Sequence, residues 1–109
     1  MVVYSATRAP EATEKDTLYA LWSLLRDARE EPFEAGHAQT WRAALASRAV
    51  RIDAALRGAD APYALTTACD RLVRGISAID EPSILDVIHV SEQLIQMEMQ
   101  VARMRNRQG

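Results

Sequence analysis

The last third of the chain carries the strongest folding constraint. Val87, Val90, Leu94, Met97, Val101 and Met104 follow one another at intervals of 3, 4, 3, 4 and 3 residues. Apolar residues at that spacing share one side of an α-helix but scatter to both sides of a strand, so burying them together requires a helix. The spacing is also that of a heptad seam. Ile84, Ile88, Ile95 and Met99 add apolar surface beside it. Asp86, His89, Gln93, Gln96, Gln100 and Arg103 are left as the polar strip. A helix this apolar around its circumference sits at the centre of a bundle or is covered by a second chain. Its start is expected near Asp80 or Ser83, where Ser83 and Asp86 have the spacing of a capping box.

Three further segments show the same period. Leu18, Leu21, Trp22, Leu25 and Ala28 line one face of a helix expected from Pro10 or Thr13 to Glu30, with Thr13 and Asp16 spaced as a cap pair. Phe33, His37, Trp41, Leu45, Ala49, Ile52 and Leu56 mark a second helix from Phe33 to Arg57, with Gly58 as its C-terminal cap. Gly36 weakens its first turns and moves the start toward His37. Leu65, Cys69 or Ala68, Leu72, Val73, Ile76 and Ile79 stripe a third, with Asp60 as N-cap and Pro62 in the first turn. Gly75 lies beside that stripe and suggests close approach of a neighbour. Residues 1–10 read as an extended N-terminal arm, and residues 103–109 as a basic C-terminal tail.

The expectation is therefore one all-α domain over residues 1–109: a small up-down bundle of about four amphipathic helices, completed by oligomerisation if the last helix is covered by a partner. Composition agrees. Apolar residues make up 49 % and charged residues 26 %, with only four Gly and four Pro, which suits a packed helical chain rather than a disordered one. The single cysteine, Cys69, excludes an internal disulfide and a cysteine-based metal knuckle. It fits a reducing, cytoplasmic compartment. The opening MVVYSATRAP has neither the charge nor the apolar length of a signal peptide, and no stretch has the length of a membrane span.

The formal net charge of −2 lowers the expectation of nucleic-acid binding. Charge is segmented, however. Acids dominate residues 1–34 and 59–102, whereas arginines dominate 35–58 and the final seven residues. Arg48 with Arg51 and Arg71 with Arg74 are each one helical turn apart, and Arg103, Arg105 and Arg107 follow at the end. These seven are the candidate phosphate contacts. Asp53 and Asp70 interrupt the first two sets and suit surface ion pairs better than acid–base chemistry.

Two acid-x-x-His pairs, Glu34 with His37 and Asp86 with His89, have the spacing that metal-binding bundles use. Up-down topology would bring both to the end that carries Glu30, Glu31 and Asp80. The faces disagree: His37 falls on an apolar stripe, as a half-buried residue, and His89 on a polar strip. No metal ligand or cofactor is assigned. Serines and Cys69 stand in no sequence relation to a histidine that suggests a nucleophile, and no Gly-rich phosphate loop is present, so a non-enzymatic chain is expected.

Asp86-Val87-Ile88, Glu92 and Arg105-Asn106-Arg107, behind the acid–Pro pair Glu81-Pro82, resemble the C-terminal helix of the flagellar basal-body rod-junction family and of type III secretion inner-rod proteins. The resemblance covers residues 86–107 and implies an assembly component. The preferred function is protein–protein interaction, as a small helical adaptor, chaperone-like or assembly subunit, with a protein partner or further copies of itself and no membrane. Val87, Val90, Leu94, Met97, Val101 and Met104 are its expected contact surface. A nucleic-acid-binding subunit built on the seven arginines is the alternative, and a rod-like assembly component a further one.

Overall fold

A computed structural model describes the backbone of residues 2–108 and the side chains of residues 16–107. Four helices follow in order: α1 (Val2–Arg29), α2 (Ala38–Gly58), α3 (Tyr63–Ala78) and α4 (Ile84–Gln108), with a single 3-10 turn at Ala35–His37 before α2. No strand occurs among the described residues. Each helix packs beside its chain neighbour, and α4 closes the ring against α1, the most extensive of the four contacts. Among the described residues the diagonal pairs, α1 with α3 and α2 with α4, make no close backbone approach. Short connections between adjacent helices make neighbours antiparallel, so this is a square up-down bundle.

The four expected stripes meet at its axis. Leu18, Leu21, Leu25 and Ala28 of α1 are buried with Trp41, Leu45, Ala49, Ile52 and Leu56 of α2. Leu65, Cys69, Leu72 and Ile76 of α3 and Val90, Leu94, Met97 and Val101 of α4 complete the core. Each large apolar side chain buried this way contributes roughly 1.5–3 kcal/mol before chain entropy is set against it.

Several local expectations are corrected. Residues 2–10, expected as an extended arm, belong to α1. Ala6, Ala9, Glu11 and Ala12 are strong helix formers and favour the helix, against the hydrogen bond that Pro10 cannot donate and the clash of its ring with the preceding turn. Thr13 therefore lies inside a helix instead of capping one, and its side chain is outside the described residues. Residues 103–108 likewise continue α4 and are not a free tail, with Arg105 and Arg107 complementing the negative end of the helix dipole.

The α2–α3 corner is built on Asp60. Asp60 has φ 53 and is the one non-glycine residue with positive φ among those described, whereas Gly58 remains helical. The Ala61 N–H donates to the Leu56 carbonyl at 3.0 Å and the Asp60 N–H to the Arg57 carbonyl at 3.2 Å. That pair of bonds is a Schellman motif with Asp60 in the left-handed position. Ala61 packs onto the core beside it. Asp60 therefore ends α2 and does not cap α3. Pro62 occupies the N-cap of α3, and its carbonyl accepts the N–H groups of Leu65 and Thr66. Gly75 is exposed, and a Cβ there would meet nothing within 4 Å, so no close helix approach explains it.

The start of α4 follows the expected chemistry. The Ser83 N–H and hydroxyl both donate to Asp86 Oδ2, at 2.8 and 3.1 Å, and the Val87 N–H donates to the Ser83 carbonyl at 3.2 Å. The acid at the third helical position returns the cap's own N–H, which fixes where α4 begins.

Candidate interaction surface

The residues expected to contact a partner face inward. Val90, Leu94, Met97 and Val101 are buried among the other three helices, and Val87 and Met104 pack half-buried against the same core. This corrects the assignment of the heptad seam: it joins α4 to its own bundle, because an uninterrupted apolar stripe is what a four-helix core requires of each member.

What α1 to α3 leave uncovered is the second apolar face of α4. Leu85 is 73 % exposed, Ile84 58 %, Ile88 49 %, Met99 45 % and Ile95 42 %. At 3.6 residues per turn, Ile84, Ile88, Ile95 and Met99 form one stripe turned about 140° from the core seam and about 22 Å long. Glu92 lies halfway along the stripe at its edge away from α1, exposed. Its edge toward α1 is fixed by an ion pair. Arg29 Nε donates to Glu98 Oε2 at 2.7 Å and Arg29 Nη2 to Glu98 Oε1 at 3.1 Å. Glu98 is the one buried charged residue among those described, and its hydrogen bond holds the Arg29 guanidinium above its ordinary range. Trp22 and Arg26 share the Arg29 face of α1. The Arg26 guanidinium lies 5.1 Å from the Trp22 ring centre, and Tyr19 lies 6.2 Å from that ring.

A signal for this face is present in the spacing: Ile84, Ile88, Ile95 and Met99 stand off the heptad. Leu85 had none, because one position after Ile84 it falls to the side of the stripe.

The candidate phosphate ligands do not converge. Arg48 Nε donates to Glu31 Oε1 at 2.7 Å at the α1–α2 edge, whereas Arg71 lines the open groove between α3 and α4 on the opposite edge. Arg51, Arg74, Arg103, Arg105 and Arg107 are exposed, and the last three are spread over the final turns of α4. Arg57 bridges Asp53 at 3.0 Å and Asp70 at 3.4 Å, tying α2 to α3, the surface pairing expected of those two acids.

The acid–histidine pairs do not assemble either. Asp86 is engaged by Ser83, and His89 is exposed. His37, expected half-buried on the α2 stripe, is exposed in the 3-10 turn. The stripe begins instead at Trp41, against which Phe33 packs edge-on at 5.7 Å. Gly36 lowers the helix preference of that turn. Among the described residues no three His, Cys, Asp or Glu side chains come together to hold a metal ion. Cys69 is fully buried, and desolvation pushes its thiol up to about 12, which suppresses the reactive thiolate.

No helix among the described residues is long and apolar enough to cross a membrane. Set against protein-family models, curated proteins and solved structures, the chain matches none. The likeness of residues 86–107 to the rod-junction helix therefore extends to no family-wide pattern.

Proposed function

We propose that this chain is a non-enzymatic protein–protein interaction module that docks through the outer face of α4. The observation that carries the reading is the concentration of five large apolar side chains, Ile84, Leu85, Ile88, Ile95 and Met99, on the solvent side of one helix. Single exposed apolar residues are ordinary, but a contiguous stripe on a rigid helix is the form that helix-to-helix docking takes. The bundle supplies the rigidity. The inner seam and the Arg29–Glu98 pair fix α4 in place, so little ordering cost remains to be met on docking.

The test is Ile88→Asp combined with Ile95→Asp. Both side chains are exposed, so circular dichroism and melting temperature should match the parent. Association, read by light scattering and by capture from extracts of the native host, should be lost. A double variant that retains every association of the parent, or a parent that associates with nothing, refutes the proposal.

A further inference from the structure

We propose that the occupant of the outer α4 face is a second copy of this chain, paired antiparallel about a two-fold axis passing between Ser91 and Glu92. This rests on the reading of that face as a docking surface and names its partner. Three observations converge on it.

The first is register. From Ile84 the stripe steps by four, seven and four residues to Ile88, Ile95 and Met99. That sequence of steps is the same in both directions. In an antiparallel pair centred on Ser91 and Glu92, Ile88 meets Ile95 of the second copy, Ile84 meets Met99, and both contacts recur by symmetry. An isologous interface demands this reciprocity of a single surface patch.

The second is charge. Exposed Asp80 and Glu81 precede α4, and exposed Arg103, Arg105 and Arg107 end it. Antiparallel pairing brings the arginine end of each α4 to the acidic end of the other, and it opposes the two helix dipoles. Parallel pairing would set acids against acids and arginines against arginines.

The third is area. The four stripe side chains offer roughly 350 Å² per copy and flanking Leu85 brings this to roughly 500 Å², so a symmetric pair buries on the order of 700–1,000 Å², the range of weak, transient interfaces. Half-buried Ser91 at the axis is small enough to let the two helices approach. Such an area fits a reversible dimer rather than an obligate one.

The experiment is solution mass against concentration on the intact chain, from about 1 μM to about 500 μM, joined to cross-linking that reads the register. The mass should rise from 12.1 kDa toward twice that value. Ile88→Asp with Ile95→Asp should weaken pairing by about 100-fold or more. Arg103→Glu should weaken it by about tenfold, and adding Asp80→Arg and Glu81→Arg should restore it. Under mild oxidation Ser91→Cys should cross-link to itself. A mixture of Ile88→Cys and Ile95→Cys chains should form the mixed disulfide, while Ile88→Cys alone should not. Its two sulfurs would stand about 10 Å apart along the axis, beyond disulfide reach.

A monomer at every concentration overturns the proposal, as does self-linking of Ile88→Cys at the yield of the mixture. A monomeric parent that still captures a host protein through Ile88 and Ile95 removes the second copy but leaves the docking surface standing. A dimer indifferent to the double substitution removes both.

Discussion

The Arg29–Glu98 pair predicts an asymmetry between two substitutions that remove the same hydrogen bonds. The Glu98 side chain is 10 % exposed and that of Arg29 33 %. In Arg29→Met the carboxylate stays buried with its partner gone. Breaking a buried pair from that side costs about 3–5 kcal/mol, and the residual access of Glu98 places it near the lower end. In Glu98→Gln the guanidinium, one third in water, rehydrates and keeps an amide oxygen as acceptor, so the cost is about 1 kcal/mol. For a domain of this size the first corresponds to a melting temperature lowered by roughly 10–20 °C and the second by about 5 °C.

Urea unfolding followed by circular dichroism measures both losses, with Arg29→Met/Glu98→Gln closing the cycle. Equal losses for the two single variants would refute the reasoning.

Asp60→Gly should stabilise the chain by about 0.5–1 kcal/mol in the same assay, because glycine enters the left-handed conformation of the α2 cap without the Cβ penalty. Gly75→Ala should add about 1 kcal/mol, since the site is helical and open, and a loss would mean that a neighbour does approach it. Cys69 should resist thiol reagents at pH 8 until the chain is unfolded by denaturant. Its thiol is raised to about 12 by burial, so the stability tied to it is full below the unfolded value near 9 and falls as pH climbs from there toward 12; Cys69→Ala should show a shallower alkaline decline.

The bundle was legible because each helix carries an unbroken stripe at period 3.6 and the breakers stand between stripes. Leu21, Leu45 and Leu72 could be placed in the core from spacing alone, whereas Leu94, assigned to a partner surface, also lies there. The caps divided by mechanism. The Ser83 N–H and hydroxyl both donate to Asp86 Oδ2, a local contact that three residues of spacing determine. At the α2–α3 corner two residues competed for one role. Glycine is the usual left-handed cap, but Gly58 stays helical and Asp60, two residues on, takes the left-handed conformation. His37 was misplaced because the stripe periodicity continues through it, while Gly36 lowers the helix preference there and a 3-10 turn stands in place of the first helical turn.

The interface assignment failed for a different reason, and Glu92 explains it. A helix with two apolar faces must turn one of them inward, and period alone does not choose. The seam from Val87 to Met104 is uninterrupted, whereas the outer stripe carries Glu92 one turn after Ile88. Burying that stripe in the bundle would desolvate a carboxylate with no partner, at a cost of several kcal/mol, while at an interface between chains the carboxylate can stay at the wet rim. The charge therefore decides which face remains outside. Glu92→Leu should complete the outer stripe and remove a repulsion near the two-fold axis, lowering the concentration needed for association by about tenfold or more without moving the core. Near-ultraviolet circular dichroism of Trp22 and Trp41 would register any repacking. If Glu92→Leu reorganises the bundle instead, or leaves association unchanged, then Glu92 does not set the orientation of α4.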